Sequence, residues 1–315
     1  MSGKSWLKQS RRYLRSTAFN LLPSFLAHRV IRNTLNLNVP SKNSTLTFEV
    51  VSTLEDLRAA LALLQNNFEK EGYADKTASG VRLTPYHLLP ETVVIVAKEF
   101  GRVIATISVI PRTSFGVPLD SSFELGGFIT GKEKIVEVSA LAVDSASAGQ
   151  RGEVLYNLMK FMYHCNVDVL GAEVEVIGVN PKMVPLYEAI LLFNRIPGTS
   201  KSEYDFVRGA PVIPMTFDLR TATEEFAKVY GNKPAHLNLL DFFRIPPPPH
   251  FRIPEKSALK TLLPQLRAKD LKTILSWEPA FFGQLSQVQK ENLERLYSIY
   301  PECLSVLKES AAYAK

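Results

Sequence analysis

Glu137 stands inside IVEVSALAV (135–143), an otherwise apolar stretch, and the chain then runs through SASAGQRGEV into LYNLMKFM. Facing a cleft, such a carboxylate could act as a base, because desolvation raises its affinity for a proton. It could equally be an outward residue of an edge strand. Strict alternation puts Glu137, Ser139, Leu141 and Val143 on one strand face and Val136, Val138, Ala140 and Ala142 on the other. Gly149, Gln150, Arg151 and Gly152 precede a helix, where glycines allow close backbone approach and free amides can hold phosphate oxygens. Glu153 suits the helix start but repels phosphate if it points the same way, and many such turns are only turns. Downstream, VNPKMVPLYEAILLF (179–193) breaks at Asn180–Pro181 before a helix carrying Tyr187. Strands parting at that break would leave unpaired backbone groups for an extended pantetheine arm. Tyr187 could then protonate a departing thiolate, or could simply pack on the sheet. Ser139 has no identifiable histidine–acid pair to make it a nucleophile.

These residues need elements to position them. TLTFEVVS (45–52) reads as a strand, and LEDLRAALALLQNNFEKEGY as a helix capped by Thr53, with Asp56 in the box position, ending near Gly72. TVVIVAKEFGRVIATISVI (92–110) reads as two strands joined at Phe100–Gly101. IVEVSALAV is the next strand, a helix follows from about Arg151 with Val154, Leu155, Leu158, Met159 and Met162 inward, and EVEVIGV (173–179) is another strand. Residues 183–193 are helical, and SEYDFVRG and VIPMTFDL are late strands. The order predicts an α/β (α+β) fold: a mixed sheet flanked by helices, not a doubly wound one. Residues 221–315 form a connector, RIPPPPHFRIPE, which is stiff and extended, and a helical extension that could cap the central domain or bind a partner.

The 315 residues carry a net charge of +6, unevenly spread. Residues 1–43 hold eight Lys/Arg and no acid, whereas 44–220 hold sixteen basic and twenty-one acidic residues. The central domain is therefore acidic, and with no basic–aromatic interleaving it is a poor candidate for nucleic acid. Residues 1–35 interleave apolar and arginine side chains, as a segment lying on an anionic membrane would, or one packing on its own domain. No apolar run is long enough to span a bilayer, no secretory signal is evident, and Cys165 and Cys303 form neither a metal cluster nor a disulfide scaffold. A cytoplasmic location follows as the expectation, with peripheral inner-membrane contact through 1–35. No metal is expected; the lone His87 has no spaced partner.

Several segments, in order, resemble the Gcn5-related N-acetyltransferase (GNAT) superfamily, and most closely its bacterial long-chain N-acyl amino acid synthases, relatives of the acyl-homoserine lactone synthases. They are RLTPYHLLPETVVIVAKEFGRVIATISVI, GVPLDSSF, EVSALAV, VNPKMVPLYEAILLF and YDFVRGAPVIPMTFDL, spanning roughly 45–220. The resemblance implies a mostly antiparallel sheet and transfer of an acyl group from a carrier-protein or coenzyme A thioester to an amine. No cofactor would be permanently bound; acyl-phosphopantetheine or acyl-CoA is the donor substrate, and an amino acid the acceptor. It implies Glu137 as base, backbone amides at Leu141 or Ala142 as oxyanion donors, and Arg82 in the SGVRLTPYHLLP loop as a clamp for the acceptor's carboxylate. Val143, Gly149, Gln150, Arg151, Gly152 and Asn180 would hold the phosphopantetheine. The superfamily's pyrophosphate turn has closely spaced glycines, whereas Gly152 here is followed by Glu153 and Val154, which favours a carrier protein over coenzyme A. Lys98, Arg102, Arg151 and Lys160 are the candidate contacts for that acidic carrier.

Three other readings remain open at this level: an acetyl-CoA-dependent small-molecule N-acetyltransferase, an acyl-homoserine-lactone-type synthase, and an inactive scaffold of the same fold.

Overall fold

The computed structural model describes residues 23–38, 45–125, 133–147, 151–197, 199, 202–248, 250–279 and 281–313. Among the described residues a short helix, α1 (Ser24–Arg32), comes first. β1 (Leu46–Val50) leads into α2 (Leu54–Glu71), where the Thr53 hydroxyl accepts from the Asp56 amide at 3.2 Å and Gly72 closes the helix in the left-handed region. β2 (Val93–Glu99) and β3 (Arg102–Pro111) form a hairpin. Its two turn residues, Phe100 and Gly101, both have positive φ, as the tightest hairpin turns require. β4 (Ile135–Val143), α3 (Arg151–His164) and β5 (Val174–Val179) follow.

A helical turn, Val184–Leu186 and then Tyr187–Leu191, leads to β6 (Asn194–Arg195), β7 (Ser202–Tyr204) and β8 (Ala210–Asp218). The remainder contributes α4 (Ala222–Tyr230), α5 (Leu239–Arg244), β9 (Phe251–Arg252), α6 (Ala268–Ser276), α7 (Gln287–Leu296) and α8 (Pro301–Tyr313).

The strands form one nine-stranded sheet in the order β6-β8-β5-β4-β3-β2-β1-β9, with β7 paired to β8. Among the described strands only β4–β5 and β1–β9 are parallel, so the sheet is mixed and mostly antiparallel, flanked by helices, as the sequence predicts. Part of the proline-rich stretch is more than a spacer. Phe251 pairs with Phe48, which makes β9 an edge strand.

Alternation along the strands sends one set of side chains to each face. One face packs against α3, α1, α4 and α5, through Phe48, Ile95, Val109, Phe161, Ile31, Phe226 and Phe243. The other packs against α2 and the carboxy-terminal helices, through Leu57, Leu61, Val96, Leu271, Leu293 and Leu307. Tyr297 ties the latter helices down by donating to the Leu88 carbonyl at 2.7 Å. On the α3 face, the Arg32 guanidinium donates to the Ala189 carbonyl and the Tyr230 hydroxyl to the Ile190 carbonyl, both at 2.7 Å. These two bonds satisfy carbonyls at the end of the turn that carries Tyr187.

Candidate active site

β4 and β5 begin as a parallel pair and then part. Their ladder matches Ile135 with Val174, Val136 with Glu175 and Glu137 with Val176, and ends there. Beyond it, Val138–Val143 and Ile177–Asn180 border a cavity of about 430 Å³, within the roughly 300–1,000 Å³ of small-molecule sites. Phe68, Tyr73, Tyr204 and Phe206 line it on the α2 side; Leu155, Met159, Met162, Tyr163, Tyr187 and Phe217 line it on the α3 side. The walls are mainly apolar, and the cavity is continuous through the gap.

A bulge in β4 shapes the opening. Ser139 opposes Ser108 and Ala142 opposes Thr106, so Ala140 and Leu141 together face the single residue Ile107. Ala140 has φ of 57°, in the left-handed region that costs a non-glycine residue energy. The expected strict alternation therefore fails at this point. Val136 and Val138 face α3 before the bulge and Leu141 and Val143 after it, while Ala140 and Ala142 meet Leu64 on the α2 side. Leu141 and Val143 thus lie on the face opposite Glu137, because the extra residue shifts the period by one.

Glu137 is on the α2 face, opposite Ile110 and Val176, and is 1% exposed. Its Oε2 accepts from the Leu119 amide at 2.8 Å and its Oε1 from the Tyr204 hydroxyl at 3.0 Å. Burial pushes the carboxyl up to about 8, the two hydrogen bonds pull it back, and the Asp120 charge adds a smaller upward push. The Leu119 amide is aimed by the 3₁₀ turn Pro118–Ser121. Asp120 accepts from the Val117 amide at 2.9 Å and from Arg112 at 2.9 and 3.1 Å, fixing that turn. Tyr204, not Glu137, borders the cavity, so the phenol stands between the void and the carboxylate.

The other predicted residues fall in several places. Leu141, Ala142, Val143, Asn180 and Tyr187 all line the cavity. Asn180 donates to the Tyr73 hydroxyl at 3.0 Å and accepts from the Lys182 amide at 3.0 Å. Burial raises the Tyr187 phenol above its ordinary value, and the Glu175 charge raises it further. Arg82 sits behind the cavity wall, its guanidinium carbon 4.8 Å from the Phe68 ring centre and 5.1 Å from that of Phe206. It donates to the Phe206 carbonyl, its Nε is buried without a partner, and burial lowers it to about 10. Arg151 and Gly152 open α3, as expected; Gly149 and Gln150 lie outside the described residues.

Two of the proposed carrier contacts are corrected. Lys160 is 0% exposed, its Nζ bonded to the Phe242 carbonyl at 2.5 Å, so it offers no surface charge. Lys98 is bridged to Glu49 and Asp56 at 2.5 and 2.7 Å. Arg102 is exposed, although paired with Asp144 at 2.8 Å.

Sequence reasoning missed Tyr204 as the partner of Glu137, the Leu119 amide, and Glu175. The last is a second buried carboxyl, 5% exposed, on the cavity wall. The strand expected over SEYDFVRG stops at Tyr204, where a 3₁₀ turn (Asp205–Val207) begins, and nothing in the segment marks Tyr204 as bonded to a residue 67 positions earlier.

Residues 59–218 match the family model described as N-acyl amino acid synthase FeeM. No curated protein matches the chain. The solved structure of FeeM, an N-acyl amino acid synthase from uncultured soil microbes, is similar at 20% identity, covering 57% of this chain and 93% of that one with a TM-score of 0.49. The acyl-homoserine lactone synthase LasI is similar at 14% identity over 60% of this chain and 96% of its own, TM-score 0.44. The coenzyme A-dependent synthase BjaI is similar at 17% identity over 58% and 88%, TM-score 0.43. These structural likenesses are loose, and the family match is the stronger finding.

Proposed function

The chain belongs to the N-acyl amino acid synthase FeeM family, an N-acyltransferase family, and on that premise we propose that it moves a long acyl chain from a carrier-protein thioester to an amino acid's amine. The observation that carries this reading is the end of the β4–β5 ladder at Glu137, which opens a cavity beside a buried carboxylate. The acyl-pantetheine arm enters between the parted strands and presents its carbonyl near that carboxylate.

A neutral amine attacks the thioester carbon, and the new C–N bond forms as a tetrahedral intermediate. Backbone amides at Leu141 or Ala142, beside the bulge and on the cavity wall, donate to its oxyanion. The amine's proton passes to the Tyr204 hydroxyl, whose own proton moves to Glu137 across their 3.0 Å hydrogen bond. The C–S bond then breaks and Tyr187 protonates the thiolate. Arg82, stacked behind Phe68 and Phe206 and donating to the Phe206 carbonyl, holds that aromatic wall in place rather than touching the acceptor.

The apolar α3-side wall suits a long chain better than an acetyl group. The poor glycine spacing after Gly152 favours a carrier protein, which lacks the nucleotide that a phosphate nest would hold. Membrane contact is the third part of the reading. Phe25 is 68% exposed and Leu26 is exposed beside it on α1, next to Arg29, while Ala27 and Ile31 anchor the opposite face. No helix among the described residues is long and apolar enough to cross a membrane.

Mass spectrometry of lipids from cells expressing the protein tests the reading beside a Glu137→Gln copy. The expected result is a new acyl amide from the unaltered protein, strongly reduced in the variant. No new amide from either would refute acyl transfer; equal amounts would remove Glu137 from its role.

A further inference from the structure

We propose that Glu175 recognises a hydroxyl on the acyl chain two carbons beyond the thioester carbonyl, so that the preferred donor is a 3-hydroxyacyl thioester. This rests on the acyl-transfer reading above and deepens it. Glu175 pairs with Val136, one register step before Glu137 pairs with Val176 and the ladder ends. Its other cross-strand neighbour is Phe217, which belongs to the α3-side core, so its side chain takes that face. The two carboxyls therefore straddle the apex of the gap, one on each side of the sheet. A thioester carbonyl held beside Glu137 places the first carbons of its chain at the level of Glu175.

The surroundings of Glu175 say what it can bind. It is 95% buried, borders the cavity, and forms no ion pair among the described residues. Its Oε2 accepts from Asn166 Nδ2 at 3.1 Å, and its Oε1 has no hydrogen bond among the described residues. Asn166 Oδ1 is buried without a partner as well. The adjoining wall is Met162, Ile177, Tyr187 and Phe217, so the carboxyl is one of few polar groups in a mainly apolar chamber. A leucine would fill such a wall without the cost of desolvating a carboxyl, a cost that Asn166 meets at one oxygen and a hydrogen-bonding ligand would meet at the other.

Burial raises the group to about 7, so near neutral pH much of it carries a proton. A neutral acid both donates and accepts, and so does a chain hydroxyl. An ammonium would require the charged carboxylate among aromatic walls. Asn166 alone explains a tie between β5 and the turn after α3, but not the free oxygen facing the void.

The test compares kcat/KM for 3-hydroxytetradecanoyl and tetradecanoyl thioesters, each on carrier protein and on coenzyme A, with one amino acid acceptor. The wild-type chain should favour the hydroxylated donor roughly tenfold, the yield of one hydrogen bond. Glu175→Gln should keep part of that ratio, and Glu175→Leu should bring it to about one. Equal rates for the two donors in wild type, or a ratio that survives Glu175→Leu, would overturn the proposal. So would a Glu175→Leu effect confined to the KM of an acceptor carrying a second amine. If neither donor reacts, the transfer reading fails instead. Titration calorimetry with free 3-hydroxytetradecanoic and tetradecanoic acids then decides: tighter hydroxy-acid binding, lost in Glu175→Leu, supports recognition, and equal binding refutes it.

Discussion

The Tyr204 hydroxyl donates to Glu137 Oε1 at 3.0 Å, and it is the phenol, rather than the carboxylate, that meets the cavity. Glu137 is sealed on its other side by the Leu119 amide. A substrate proton therefore reaches the carboxylate by way of Tyr204 or a water that replaces it.

Tyr204→Phe keeps the ring and removes the link. The rate of transfer should fall on the order of 10², the usual scale of a lost proton-transfer group. The hydrogen bond from Tyr204 favours ionised Glu137, so its loss should also move the rising limb of the pH–rate profile upward from about 8. Stopped-flow rates over a pH series check both. An unchanged limb would mean that Tyr204 does not touch the titrating group in solution.

Gly178 offers a second route to the same contact. A Cβ there would lie 3.2 Å from Leu119 Cδ2 and 3.3 Å from Tyr204 Cε1, tighter than side chains ordinarily pack. Gly178→Ala should push the Tyr204 ring and slow transfer roughly tenfold, and combining it with Tyr204→Phe should add little, since both act on one link. Additive losses in the double variant would separate the two sites.

Stability gives an independent reading of Glu137. Its folded-state pKa of about 8 lies above the ordinary carboxylate value, so between the two the native state holds a proton that the unfolded chain has released. Native stability accordingly falls as pH rises through that window. Glu137→Gln cannot ionise and should be more stable than wild type at pH 9, by a few kcal/mol in order of magnitude, with little difference near pH 5. Scanning calorimetry at both pH values measures this. A lower Tm for the variant at pH 9 would contradict a buried, hard-to-ionise carboxyl.

Met159 lies on the α3-side wall. Met159→Trp should shift the product profile to shorter acyl chains, each methylene that no longer fits costing roughly tenfold or more. Mass spectrometry of products from mixed donors reads the profile directly. An unaltered profile would place the chain elsewhere.

Much of the scaffold was legible because its signals are local. The Thr53 cap, the Gly72 stop, the Phe100–Gly101 turn and the Asn180–Pro181 break each act within a few residues. Glu137 stood out because a carboxylate among valines is costly unless it is used. The bulge was not legible: an alanine carries no preference for the left-handed region that Ala140 adopts, so strict alternation misplaced Leu141 and Val143. Lys160 read as a surface charge on α3 because its partners, the Phe242 carbonyl and ring, lie 82 positions away. Glu175 hid in EVEVIGV, where alternating acids look like an ordinary half-solvated strand. Partners that only the folded chain brings together leave no trace at short range.

Single-turnover transfer from a carrier-bound long-chain thioester to an amino acid, at pH 6 and pH 9, tests the central claim most directly. The wild-type rate should climb between the two more steeply than deprotonation of the amine alone gives, as Glu137 ionises, while Glu137→Gln should keep only the amine's own dependence and be roughly 10²–10⁴ slower at pH 9. A wild-type rate that rises no more steeply than the variant's, at equal magnitude, would contradict a carboxylate base at the apex of the parted strands.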